Sequence, residues 1–92
     1  MGQRIDKWLV YARMVKTRAA ATELVERGRV RVNRERVTKT SQMVGEGDVL
    51  TLAFPRNIRI IRIVGIGERR GPPREAQLLY EDLTRPAAPG EG

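Results

Sequence analysis

Apolar positions recur along this 92-residue chain with two different periods. Ile5, Trp8, Leu9, Ala12 and Val15 stand at i, i+3, i+4, i+7 and i+10, the stripe of a helix that buries one side and leaves Arg4, Lys7, Tyr11 and Arg13 on or near the other. A second stripe, Ala20, Ala21, Leu24 and Val25, lies between Thr17, whose hydroxyl suits an N-cap, and Gly28, suited to the left-handed position just past a helix end. Its alanines let the two helices approach closely. From Arg29 the period becomes two: Val30 and Val32 alternate with Arg29 and Arg31, and Val37 follows Asn33-Arg34-Glu35-Arg36, a pattern that predicts a basic hairpin. Gly45-Glu46-Gly47-Asp48 is turn chemistry ahead of a strand from Val49 to Leu52, and Pro55-Arg56-Asn57 separates that strand from a last one, Ile58 to Ile66. In the last strand Ile58 and Ile60 are expected inward and Arg59 outward; the run then becomes more continuously apolar, so the register past Ile61 stays open. Residues 67–75 read as a loop, 76–83 as one or two helical turns, and 85–92 as a disordered tail.

Charge changes the picture from a small fold to a binding surface. The chain carries 18 Lys and Arg against 11 Asp and Glu, a formal net charge of +7, and such an excess points to a polyanion or an anionic surface. Residues 1–42 hold 11 basic and 4 acidic side chains, whereas residues 43–92 hold 7 of each, so the whole excess sits in the first half. There is no cysteine and no histidine, which excludes disulfides, thiolate zinc sites, thiol nucleophiles and histidine acid/base chemistry. No metal and no cofactor is expected. The N-terminus lacks the apolar stretch of about 7–15 residues that marks a signal peptide, and no apolar run approaches the roughly 20 residues of a membrane span. The expected location is the cytoplasm, with no membrane partner.

Arg13, Lys16 and Arg18 flank the turn between the two helices, and Arg27, Arg29 and Arg31 flank the passage from helix to hairpin. If the hairpin packs beside the second helix, these groups make one positive surface. Thr17 adds a hydroxyl and the free amides of a helix N-terminus, which suit a phosphate. Arginine makes up 15 of the 18 basic residues, and its planar fork pairs with phosphate and stacks on bases better than an ammonium does. A surface that only solubilised the protein would intersperse both signs, yet residues 13–22 contain no acid. Trp8 lies on the apolar stripe and is expected in the core, whereas Tyr11 lies nearer the polar side, where packing and base stacking are both open. Asp6 could serve as a catalytic carboxylate, but the preferred reading is that it complements the first helix dipole or orients Arg4 or a neighbouring arginine. Gly28, Gly45 and Gly47 match no phosphate-binding fingerprint and are better explained by backbone geometry. The second helix, mostly Ala, Leu and Val with Glu23 and Glu26, is too bare for a DNA recognition helix. A surface of helix ends and a hairpin better suits the shape and backbone of folded RNA.

Four stretches carry a resemblance: "RIDKWL" at 4–9, "KTRAAATELVERGRVRVN" at 16–33, "VTKTS" at 37–41 and "GEGDVLTL" at 45–52. In this order and spacing they are similar to the ribosomal-protein-S4-type RNA-binding domain. "REAQLLYEDL" at 74–83 resembles the segment that follows that domain in the ribosome-associated heat-shock protein 15 group. The resemblance implies an α+β fold of two packed N-terminal helices followed by a small, curved, mostly antiparallel sheet. It would span residues 1–66 with its core motif at 4–52, and residues 67–84 would form a loop and a short helical segment packed on it. RNA would be held by Arg4, Lys7, Lys16, Thr17, Arg18, Arg29, Arg31 and Asn33, with Asp6 a motif position; Arg13, Arg27 and Lys39 complete the basic surface. The implied partners are large-subunit ribosomal RNA and peptidyl-tRNA on the large ribosomal subunit after a stalled ribosome splits, with a rescue factor acting on the same particle.

Three departures accompany the resemblance. Arg34 stands where glycine usually follows Asn33, Thr40 replaces a common proline, and the chain ends soon after Leu83, which moves the match toward the shorter quality-control members. The function expected is non-enzymatic and monomeric, the alternative being a general binder of structured RNA with no part in rescue. S4-type domains also precede RNA-modifying enzymes, but residues 53–92 contain no Gly-rich cofactor loop and Asp82 as their one aspartate. Leu78, Leu79 and Tyr80 either anchor a partner protein or, as the preferred reading, cap the open sheet edge or the core.

Overall fold

Thr17 opens a helix because its Oγ1 accepts the Ala20 amide at 3.1 Å, and Gly28 closes the same segment in the left-handed region at φ 72°. In the computed structural model, which describes residues 2–84, the order is β1 (Gln3–Arg4), α1 (Ile5–Tyr11), α2 (Arg18–Glu26), β2 (Val30–Val32), β3 (Glu35–Arg36), β4 (Met43–Val44), β5 (Val49–Ala53), β6 (Ile58–Ile63), α3 (Pro73–Ala76), a 3₁₀ turn at Gln77–Leu79, and β7 (Tyr80–Asp82). The tail expected at 85–92 lies outside the described residues. Five strands form one antiparallel sheet in the order β3-β2-β5-β6-β7, and β1 pairs with β4 in a second, two-stranded sheet. The α+β architecture of two packed helices ahead of an antiparallel sheet is therefore present.

The core lies between the helix pair and one face of the large sheet. Ile5, Trp8, Leu9 and Ala12 meet Ala21, Leu24 and Val25 of α2 and Val30, Leu50, Leu52, Ile61 and Ile63 of the strands in one buried cluster. Trp8 is fully buried, and its indole N–H donates to the Gly65 carbonyl at 2.9 Å, so the one polar atom of the largest core side chain is satisfied. Gln3 exchanges two hydrogen bonds with the Gly67 backbone, which clasps the chain's beginning to the segment after β6.

Four expectations are corrected, and one pair of strands is added. Helix α1 stops at Tyr11, and Arg13 takes φ 60°; Val15 therefore reaches the core from the connection and not from the helix. Glu35 and Arg36 are strand, and the hairpin turn is Asn33-Arg34 alone, at φ 49° and 77°. Two consecutive positive φ values are those of the primed turn that matches strand twist. The β1–β4 pair, Gln3 with Val44 and Arg4 with Met43, has no sequence signal, because two-residue strands show no period.

The register of β6 is the opposite of the expected one. Ile61 and Ile63 are fully buried, while Ile58 is 57% and Ile60 38% exposed, and Arg59 stands opposite Leu52 on the core side. Burial of Ile61 and Ile63 outweighs that of Ile58 and Ile60 because the former lie at the sheet centre. Arg59 tolerates the inner side by laying its stem along it, and its guanidinium meets Asp82 at 2.9 Å and the Tyr80 ring at 5.7 Å. Finally, the helical turns lie at Pro73–Leu79, and Tyr80–Asp82 is a strand that pairs with β6. Leu79 and Tyr80 pack against the core as edge-capping residues, whereas Leu78 is 73% exposed.

Candidate functional site

The first turn of α1 holds Asp6, a carboxylate only 2% exposed. It accepts from Arg4 Nε and Nη2 at 3.2 and 3.0 Å, from Arg18 Nη2 at 2.9 Å and from the Lys7 amide at 2.8 Å. Both readings of Asp6 hold together: it faces the helix N-terminus and it orients two arginines. Burial by itself would raise its pKa, but the Arg4 and Arg18 guanidiniums and the Lys7 amide outweigh that and hold it below the ordinary value. One ionised carboxylate thus fixes two guanidiniums whose side chains remain 41% and 54% exposed. Two cations on one anion leave a net positive charge at this point, with donors still facing outward.

The loop after β3 is laced across the same helix end. The Ile5 amide donates to Gln42 O at 2.8 Å and the Asp6 amide to Thr40 O at 3.4 Å, and Gln42 N donates back to Lys39 O at 3.1 Å. Lys39 is therefore brought to the start of α1, a placement its distance in sequence from Arg4 does not announce. Lys7, Lys16 and Lys39 have no acidic partner among the described residues. Thr17 spends its Oγ1 on the Ala20 amide, so what it offers a ligand is the start of α2 and not a free acceptor.

A second group forms where α2 passes into the hairpin. Arg27 pairs with Glu23 at 2.9 Å, with both side chains more than 60% exposed, a contact worth only about 0.3–0.5 kcal/mol. Arg29 is exposed, and its carbonyl accepts the Ala53 amide at 2.9 Å. Arg31 and Arg36 stand directly opposite each other across β2 and β3, an arrangement that is unfavourable without an anion between or above them. Arg31 donates to the Arg34 carbonyl at 3.2 Å. The Arg36 guanidinium lies over Gly28, where a Cβ would collide with it, so the glycine serves both the left-handed turn and this close approach. Arg34 and Arg36 belong to this group although the motif-based selection passed over them. The signal that could have found them is the two-residue turn, which places Arg36 across from Arg31.

Two selected residues are committed elsewhere. Asn33 donates to Asp48 Oδ1 at 3.1 Å and accepts the Val49 amide at 3.0 Å, so its side chain pins the hairpin turn to β5. Arg13 donates to the Gly71 carbonyl at 2.7 Å, which ties it to the segment ahead of α3. In the second half of the chain three cations are paired, Arg59 with Asp82, Arg62 with Glu81 and Arg69 with Glu75, while Arg56, Arg70 and Arg74 have no acidic partner among the described residues. The positive excess of the molecule comes from the first half by number, 11 basic against 4 acidic side chains in residues 1–42. Among the described residues no group of three or more acidic, histidine or cysteine side chains could hold a metal ion, and no helix is long and apolar enough to cross a membrane.

Comparisons with known proteins bear on this arrangement. The model of the S4 domain family matches residues 3–50. Heat shock protein 15 of Escherichia coli K12 is 44% identical over 79 residues, which cover 86% of this chain and 59% of that protein; the chain thus spans less than two thirds of that relative's length. The RQC P-site tRNA stabilizing factor of Halalkalibacterium halodurans is 37% identical over 78 residues, covering 85% of this chain and 86% of that factor. The structure of Vibrio cholerae heat shock protein 15, described as trimeric, superposes with a TM-score of 0.83 at 39% identity over 89% of this chain and 82% of that one. The chain belongs to the S4 domain family.

Proposed function

We propose that this protein is a non-enzymatic RNA-binding protein that associates with the large ribosomal subunit and steadies the peptidyl-tRNA it carries after a stalled ribosome has split. The observation that carries the reading is the set of cations lacking acidic partners at the starts of α1 and α2 and at the helix–hairpin junction: Lys7, Lys16, Arg29, Arg31 and Lys39. Oriented guanidiniums, a helix N-terminus and facing arginines across a hairpin bind phosphates by placement and charge. They supply no nucleophile and no proton-transfer pair, so the mechanism is positioning: ribosomal RNA and tRNA are held together while a rescue factor acts. The relatives named above, one of them a P-site tRNA stabilizing factor, favour the ribosomal form of this reading. The site of action is the cytoplasm, and the protein works as a single copy, to be checked by light scattering against the trimer described for the Vibrio cholerae relative.

Sedimentation of tagged protein with lysate tests the proposal. The protein should peak with large subunits that carry peptidyl-tRNA, and a Lys16→Glu, Arg31→Glu variant should move to the top of the gradient while keeping its melting temperature. Arg18 is the wrong position for this test, because it holds the buried Asp6 carboxylate and its reversal would confound binding with folding. An even spread of the wild-type protein over all RNA fractions would leave a general binder of structured RNA.

A further inference from the structure

We propose that the apolar cleft between α2 and the β5–β6 turn receives one unpaired RNA base; the proposal rests on the RNA-binding reading and names what that surface recognises. Val15, Ala20 and Leu24 form one wall, and Phe54 and Pro55 the other, around a volume of about 250 Å³. That is below the roughly 300–1,000 Å³ of a pocket for a drug-sized molecule and suits a single flat ring system. Phe54, the one phenylalanine of the chain, is half-buried here and supplies an aromatic ring just past the end of β5, the central strand of the sheet.

What surrounds the cleft argues for a nucleotide. Arg27 and Arg29, both exposed, stand at its rim. The Arg29 carbonyl binds the Ala53 amide, so this arginine is anchored beside Phe54. Arg56 lies in the same turn, which the Phe54 amide closes by donating to Asn57 O, and it has no acidic partner among the described residues. Arg29 at the rim and Arg56 in the adjoining turn are both without an acidic partner among the described residues, and an apolar protein side chain would gain nothing from them. A base flipped out of an RNA helix places its ring in an apolar slot and its flanking phosphates on the rim, and stacking of unpaired bases on aromatic side chains is how RNA sequence and bulges are commonly read. The Glu23 carboxylate, held by Arg27 at 2.9 Å, adds an acceptor for an exocyclic amino group. The cleft adjoins the helix–hairpin arginines, so one RNA can occupy both.

The test compares two RNA hairpins of equal length, one fully paired and one with a single bulged 2-aminopurine, by anisotropy and by 2-aminopurine fluorescence. Wild-type protein should bind the bulged hairpin on the order of tenfold more tightly, the worth of one stacked base, with a change in fluorescence on binding. Ala20→Leu, which fills the cleft, and Phe54→Leu, which keeps its apolar volume without the ring, should both erase the preference while the paired hairpin binds as before. Ala19→Leu, on the same helix but outside the cleft, should retain it. Equal affinity of the wild-type protein for the two hairpins overturns the base site and leaves the RNA-binding reading standing, as does persistence of the preference in Phe54→Leu. Failure to bind either hairpin overturns both.

Discussion

Asp6 shows how a single carboxylate can organise a helix start and orient two guanidiniums at once. As a buried acid with four donor groups from three residues it organises the start of α1, and its two arginines remain partly exposed. Asp6→Asn should cost about 1–2 kcal/mol in urea unfolding, below the full worth of hydrogen bonds to a charged group because both arginines are partly solvated. Because the folded pKa lies below the unfolded one, near 3.9, the contribution is complete above about pH 4 and is lost as pH falls through the folded value. The stability gap between wild type and Asp6→Asn should therefore narrow in acid; a gap that widens would contradict the assignment. Arg34 is the second telling residue. At φ 77° it occupies a conformation that costs a side-chain-bearing residue about 1 kcal/mol, so Arg34→Gly should raise stability by about 0.5–1 kcal/mol. The protein keeps an arginine there, on a basic hairpin, at a position where glycine would be more stable.

Among the elements, β6 carries the sharpest test. Its two apolar sets, Ile58 with Ile60 and Ile61 with Ile63, differ by one residue of register, and a one-residue slip exchanges the faces. Ile61→Ala should cost about 2–4 kcal/mol and Ile60→Ala less than about 1 kcal/mol, measured by thermal or urea unfolding; the reverse ranking would restore the inward Ile60. The choice depends on β7, which pairs Ile61 with Asp82 and Ile63 with Tyr80 and whose Asp82 receives Arg59. That pairing joins positions about twenty apart in the chain, so no local pattern around Ile58–Ile66 contains it. Helix α2 behaved differently. Thr17, the apolar pair Leu24-Val25 and Gly28 are cap, stripe and stop within a dozen residues, and all three took the roles their local spacing implied.

For the whole molecule, charge is the organising property. Binding to RNA should weaken steeply with salt: about five phosphate contacts give a log–log slope of roughly −3.5 to −4.5, measured by anisotropy over a salt series, whereas a flat response would remove the basic surface from the mechanism. Composition, the absence of cysteine and histidine, the placement of the positive excess in residues 1–42 and the two helical stripes were determined by the sequence alone, because each is a count or a local period. Membership of the site was determined only in part. Lys39 joins Arg4 and Arg18 because the loop after β3 crosses the start of α1, Arg36 joins Arg31 because the turn is two residues long, and Asn33 and Arg13 are drawn into hydrogen bonds that hold the fold. Which cations stand without partners was decided by the tertiary structure, since the acids that neutralise Arg59, Arg62 and Arg69 lie 6 to 23 residues away along the chain, and an ion pair depends on distance in space, which the order of residues does not record.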